Sequence, residues 1–275
     1  MSEKEEKKEN IMGTLGITRL IMKMSLPLMI SMLIQALYNI VDSMFVARVS
    51  ETALTAVSLA FPLQNLLIAF GVGTGVGMAS FLSRKLGEKD TESATKAAGN
   101  GITLAVITWI LFAILGLTIV KPFMALFTDD AELLGLSTSY SEIVMIFSFF
   151  MLLSMMNERI LQGTGDSFSS MLSQMTGAIT NIILDPVFIF VFKMGVNGAA
   201  IATVIGQAVG CAVSLYFVIR NKYIKIKPQH LKLEKRMVAS IYSVGAPTII
   251  TNSIGTVMTG AMNAILIGFS TTAVS

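Results

Sequence analysis

The stretch Pro27–Val46, PLMISMLIQALYNIVDSMFV, constrains this chain more than any other. It is apolar over 20 residues, enough for a helix to cross a hydrocarbon core ~30 Å thick. Well inside it stands one carboxylate, Asp42. An Asp at the centre of a membrane helix costs ~2.5–3.5 kcal/mol on insertion scales, so its presence there asks for a use.

The run is not isolated. Apolar segments occupy roughly 24–47, 54–82, 98–120, 140–161, 170–192, 196–219 and 238–269, each long enough to span. Charged residues make up 13% of the chain, where soluble domains carry about 25%. The expected fold class is therefore an all-α, polytopic membrane helix bundle. The net charge of +3 does not indicate nucleic acid, because the basic residues lie between the apolar runs. The mixed-charge start MSEKEEKKEN lacks the form of a signal peptide, so the first run is expected to stay in the membrane. The single Cys211 excludes an internal disulfide.

The basic residues also give a direction. With the N-terminus inside, all of the 20 Lys and Arg except Arg48, Lys121 and Lys193 fall in inner segments. That bias predicts a cytoplasmic N-terminus in the cell membrane, most naturally a bacterial inner membrane. The outer loop around Phe127–Glu132 is acidic, which agrees. The domains expected are a cytoplasmic tail (1–22), a lobe of six spans (23–220), a basic cytoplasmic linker (221–237) and the first helix of a second lobe (238–275). The linker is interrupted by Pro228, and its His230 is expected to be solvated. An internal echo supports the second lobe. Ser25-Leu26-Pro27 is matched by Gly245-Ala246-Pro247, and TALTAVS at 52–58 by FSTTAVS at 269–275. A pseudo-symmetric parallel repeat of six spans follows, cut one helix into its second copy.

Depth can be read from the loops. Asp42 lies about 9 Å below Arg48 along a helix, and Asp185 about 12 Å below Lys193. The first and fifth spans run in the same direction, so the two acids should share a level in the outer half. Asn181 stacks one turn below Asp185, and Thr203 in the returning sixth span comes level with both. Two carboxylates, an amide and a hydroxyl at one depth could hold a cation, Na+ being the metal candidate, or share a proton. The competing explanation is structural: intramembrane polar side chains also join helices by hydrogen bonds, and Asp185 precedes Pro186, where loosened backbone needs partners. Gln35, Tyr38 and Asp42 fall on one helical face, and with Asn39 are expected to line the same cavity or to bond neighbouring helices.

Other motifs read more plainly. Pro27 and Pro62 should kink their helices. The run Gly71-Val-Gly-Thr-Gly-Val-Gly77 lacks the Lys-Ser/Thr of a phosphate loop and sits inside a span, so close helix packing is expected. Glu158 and Arg159, beside an inner turn, are expected to form a surface salt bridge. No Ser/His pair or His/Glu metal cluster lies in any span, so a membrane-embedded enzyme is not expected.

Three motifs in order resemble the multidrug and toxic compound extrusion (MATE) transporters: P-L-x7-Q-x2-Y-N-I-V-D-x2-F-V from Pro27, FPLQNLLIAFGVGTGVGMASFLSRKLGEKD from Phe61, and NIILDPVFIF from Asn181. Ala47-Arg48 departs from the family, which usually places a Gly there. The resemblance implies that Asp42 and Asp185 are coupling-ion residues with Asn181 and Thr203 beside them, and that the first span bends at Pro27 during transport. It also implies a cation-coupled (H+ or Na+) antiporter for amphiphilic, often cationic, compounds, with no cofactor and with a second lobe required as partner. Two alternatives stand. One is a lipid-linked oligosaccharide flippase, which would place basic residues in the lobe cavity; no Lys or Arg lies deep within the first six segments. The other is a half-length chain with no transport activity of its own.

Overall fold

Short, well-capped connections tie long helices together. The computed structural model describes residues 11–267. After a single turn at Ile11–Thr14 come helices α1 (Ile17–Ala47), α2 (Glu51–Gly87), α3 (Thr91–Thr118), α4 (Ala131–Ile146), α5 (Phe149–Gly163), α6 (Ser167–Pro186), α7 (Gly195–Ile219) and α8 (Lys235–Ile267). Among the described residues there is no strand. Ser50, Asp90, Asp130 and Asp166 cap α2, α3, α4 and α6, each side chain accepting a backbone N–H of the first turn at 2.8–3.1 Å. Such caps let three-residue turns reverse the chain, as at Arg48–Ser50 and Thr164–Asp166.

Among the described residues five helices are long and apolar enough to span a membrane, and α4 with α5, bent by 47° at their break, pass the same test as one broken segment, which gives up to six. The bent crossing corrects the reading of one span at 140–161. Its helix starts at Ala131, inside what looked like an outer loop, and Asp130 and Glu132 belong to its capped first turn. The break has a visible device: Trp109 Nε1 on α3 donates to the Ile146 carbonyl at 2.8 Å, and Ser148 Oγ to Met145 O at 2.7 Å. Both carbonyls freed at the bend are thereby satisfied, which a membrane interior demands. Helix α1 also begins earlier than its apolar run, at Ile17, and continues unbroken through Pro27; α2 does the same through Pro62.

The glycine run in α2 serves packing on two sides. Gly71 and Gly75 face α5, where an added Cβ would meet Leu152 and Met155 or Arg159 at 2.8–3.0 Å. Gly73 and Gly77, on the other face, meet α8 backbone: a Cβ on Gly73 would lie 2.8 Å from Gly245 O, and one on Gly77 would run into Ile241 O. Small residues at i, i+4 let two backbones touch where lipid supplies no hydrophobic drive. Helix α2 consequently lies at the centre, packed by α3, α4, α5 and α8.

The linker is largely exposed but is anchored at several points. The fully buried Asn100 on α3 donates to Lys232 O at 3.2 Å and accepts from Glu234 N at 2.9 Å. Thr103 Oγ1 donates to Leu231 O at 2.7 Å, and Lys96 pairs with Glu234 at 3.4 Å. At the other end Asn221 donates to Thr164 Oγ1 at 2.9 Å, which seats Ile224 in the core. His230 is half-buried on a single turn, Pro228–Leu231, its Nδ1 accepting from Lys227 N at 3.1 Å. Its backbone lies against Gly99, where a side chain would collide, while the hydrogen bonds of its ring lie at the exposed surface. The matched segment at 269–275 lies outside the described residues.

Candidate functional site

Two helices form the rigid wall of the site. Along α6, Ser173, Gly177, Asn181 and Asp185 make one stripe at four-residue spacing; α7 answers with Thr203, Gly206 and Gly210. A Cβ on Gly177 would sit 3.0 Å from Gly206 O, and one on Gly206 2.8 Å from Gly177 O and 2.9 Å from Asn181 Cβ. The backbones therefore touch, and the contact sets Asn181 against the facing helix. Asn181 Nδ2 donates to Thr203 Oγ1 and to Asp185 Oδ1, both at 3.3 Å. Asp185 is fully buried. Directly after it Pro186 withholds an N–H and the chain turns through a π-helical segment, Val187–Val191, closed by Phe192 N to Val187 O at 2.9 Å.

Helix α1 supplies the other wall. Asp42 lies near enough to Asp185 for the two carboxyls to interact electrostatically, and Tyr38, one turn before Asp42, lies near Thr203. The structure thus brings together Asp42, Asp185, Asn181 and Thr203, and adds Tyr38 to them. Asp42 Oδ1, Asn181 Oδ1 and Asp185 Oδ2 are buried oxygens with no hydrogen-bond donor among the described residues. Buried acceptors left open are costly, at about 1–3 kcal/mol each and more when charged. Two neighbouring carboxylates repel besides. A proton between them, or a small hard cation among the oxygens, relieves both costs at once. Among the described residues no group of three or more His, Cys, Asp or Glu assembles, so the donor set is oxygen only and holds two acids.

Asp42, Asn181 and Thr203 line a cavity of about 670 Å³ together with Gln35, Tyr38 and Asn39, and Asp185 lies buried one turn beyond Asn181, behind that lining. The sequence reading missed several of its residues. Gln64 and the buried Tyr140 also line it, and Gln207, one turn beyond Thr203, brings a buried oxygen with no donor among the described residues. Gln207 was findable from its i, i+4 relation to Thr203. Pro27 lies one residue from the cavity-lining Leu28, inside an unbroken helix.

Two expectations about the end of the cavity nearest the α5 C-terminus are corrected. Glu158 and Arg159 form no salt bridge; Glu158 Oε1 accepts from Ser154 Oγ at 3.0 Å, while Arg159 Nη1 donates to Gln162 Oε1 at 3.0 Å. Both residues line the cavity. Arg159 stands only four residues from the end of α5, so position along the chain suggested a surface charge. Its long side chain carries the guanidinium inward. A basic group therefore does reach the cavity.

Comparison with known proteins is consistent with this architecture. The MatE family model matches residues 27–187. The multidrug export protein MepA of Staphylococcus haemolyticus is 29% identical over 234 residues, which is 84% of this chain and 52% of that protein. The chain thus spans about half the length of the curated relatives it matches. A solved MATE in complex with MaD5 superposes with a TM-score of 0.87 at 28% identity, over 95% of this chain and 60% of that one. A MOP superfamily transporter from Pyrococcus furiosus, whose structure is described as having a binding pocket of reverse polarity, superposes with a TM-score of 0.80 at 29% identity. It covers 91% of this chain and 54% of that one.

Proposed function

Because this chain belongs to the MatE family of multidrug efflux transporters, we propose that it forms the first lobe of a cation-coupled antiporter, with the Asp42–Asp185 pair as the coupling site. The observation that carries the proposal is the cluster of open oxygens: Asp42 Oδ1, Asn181 Oδ1 and Asp185 Oδ2, with Thr203 and Tyr38 at their edge. Structural glue would leave these acceptors filled by donors on neighbouring helices. Here they converge unfilled.

Coupling requires that the cation and the exported compound favour different states of the lobe or compete for one cavity. Asp42 rides on α1, while Asp185 is fixed to the α6–α7 pair, so a cation held by both draws α1 against α6. Loss of the cation leaves two repelling carboxylates and favours separation. With a cytoplasmic N-terminus, the pair sits in the outer half of the membrane and loads from outside. Inward movement of one H+ or Na+ then yields about 2.3 kcal/mol per 100 mV to drive export. The compounds carried would be amphiphilic, many of them cationic, in keeping with the name of the MepA relatives. A second lobe would complete the pathway, with α8 as its first helix and a seventh crossing.

The test is substrate efflux from vesicles with Na+ and pH gradients imposed separately, using the chain with and without a complementary second half. Efflux that follows one gradient and is lost in Asp42→Asn supports the proposal. Efflux indifferent to both gradients, or intact in that variant, refutes it.

A further inference from the structure

The end of the cavity nearest the α5 C-terminus carries charges that the coupling site does not use. Arg159 is the one Lys or Arg among the described residues lining the cavity. Its position is built rather than incidental. The stem crosses α2 at Gly75, where a Cβ would lie 2.8 Å from Arg159 Cγ. The head is aimed by Gln162, whose Nε2 in turn donates to Ser170 Oγ on α6 at 2.9 Å. A guanidinium offers five N–H donors in a planar fork, and this one meets a single neutral acceptor. No salt bridge closes on it among the described residues, although Glu158 is its neighbour in sequence and lines the same cavity. A half-desolvated cation with open donors is completed by an oxyanion, and a carboxylate or phosphate matches the fork in two parallel bonds.

We infer that Arg159, aimed by Gln162 and Ser170, is a recognition site for the oxyanion of an amphiphilic ligand whose apolar body lies in the cavity between that end and the Asp42–Asp185 pair. Met151 and Met155, which line the cavity beside it, supply an adaptable apolar wall. The inference deepens the transport proposal by adding acidic and zwitterionic amphiphiles to the compounds carried. The shared chemistry, an oxyanion on an apolar body, is found both in carboxylate drugs and in phosphate-headed lipids.

Direct binding tests it on the purified chain in nanodiscs, without any need for transport. The probes are a dansyl-labelled undecanoate, its methyl ester, dodecyl phosphate as a competitor, and tetraphenylphosphonium as a cationic comparator. The undecanoate should bind, and Arg159→Gln should weaken it about ten- to a hundredfold, the factor expected from losing hydrogen bonds to a charged group. The ester and tetraphenylphosphonium should be unaffected by the substitution. Arg159→Lys, which keeps the charge, should recover part of the loss, and this separates recognition from folding damage. Displacement by dodecyl phosphate at lower concentration than by undecanoate itself would point to a lipid headgroup as the source, and the reverse to a carboxylate; either supports the site. The inference is overturned if undecanoate does not bind saturably, if Arg159→Gln leaves its affinity unchanged, or if the variant weakens all probes equally. Failure of ion-driven efflux would count against the coupling proposal alone.

Discussion

Helices α1 and α6 each bring one acid to the same site, yet they are held very differently. In its most apolar window α1 has only 6% of its residues buried, and it exposes Met29, Met32 and Leu33 by more than 60% each. Helix α6 is locked backbone to backbone on α7 through Gly177 and Gly206. One wall of the site is joined backbone to backbone, while the other, which carries a proline, packs mainly on α6 and is otherwise exposed. Under the proposed coupling role, a site divided in this way can be closed or opened by moving one helix without disturbing the groups on the other. In the proposed mechanism, two acids both standing on the α6–α7 pair would leave a bound cation nothing to move.

The largest expected effect comes from removing the fixed acid. Asp185→Asn should abolish gradient-driven efflux, a loss of at least an order of magnitude, while the protein still inserts and runs monodisperse on size exclusion. Full coupled activity in that variant would break the division of roles. Next comes the scaffold itself. Gly206→Ala places a methyl against Gly177 O and Asn181, and overpacking of this kind costs about 1–3 kcal/mol, readable by reversible unfolding in mixed micelles. Gly135→Ala on α4, where a Cβ meets nothing within 4 Å, should instead stabilise by about 0.5–1 kcal/mol through helix propensity. If the two substitutions behave alike, the backbone contact is not what holds the wall. A smaller effect is expected at the linker. Asn100→Ala leaves the Lys232 carbonyl and the Glu234 amide unpaired, and should raise protease sensitivity between Asn221 and Glu234 with little change in cation binding.

Hydrogen exchange would sharpen the contrast further. Amides of α1 around Pro27, where one ladder bond is missing, should exchange well ahead of those of α2 and α7. Equal protection would mean that α1 is no looser than its neighbours.

How far these roles can be read from residues alone depends on what kind of signal each leaves. The acids were legible because charge in an apolar run is conspicuous, and because helical rise converts distance from a loop into depth. Asn181 and Thr203 followed from the same arithmetic, and the glycine run was legible as packing because nothing about it suits a phosphate. The bend at Phe147–Ser148 was not legible: no Pro or Gly marks it, and its cause is a tertiary hydrogen bond from Trp109. Arg159 was misjudged for a related reason, since chain position locates a Cα and not the end of a long side chain. The anchoring of the linker was likewise invisible, because polar composition describes solvated and clamped segments equally well until Asn100 is seen to hold one in place.

The central claim is that Asp42 and Asp185 hold one cation between a mobile and a fixed helix, and the four oxygen-bearing residues lie wholly within this chain. Binding can therefore be measured on it directly, as thermal stabilisation by Na+ against choline at high pH, and by proton against neutral pH in choline alone. A ligand that binds only the folded site stabilises by about 2.7 kcal/mol at a hundred times its Kd. A rise in midpoint with one of the two cations, absent in both Asp42→Asn and Asp185→Asn, is the predicted result. Stabilisation of the same size in either variant, or none with either cation in the native chain, would contradict it.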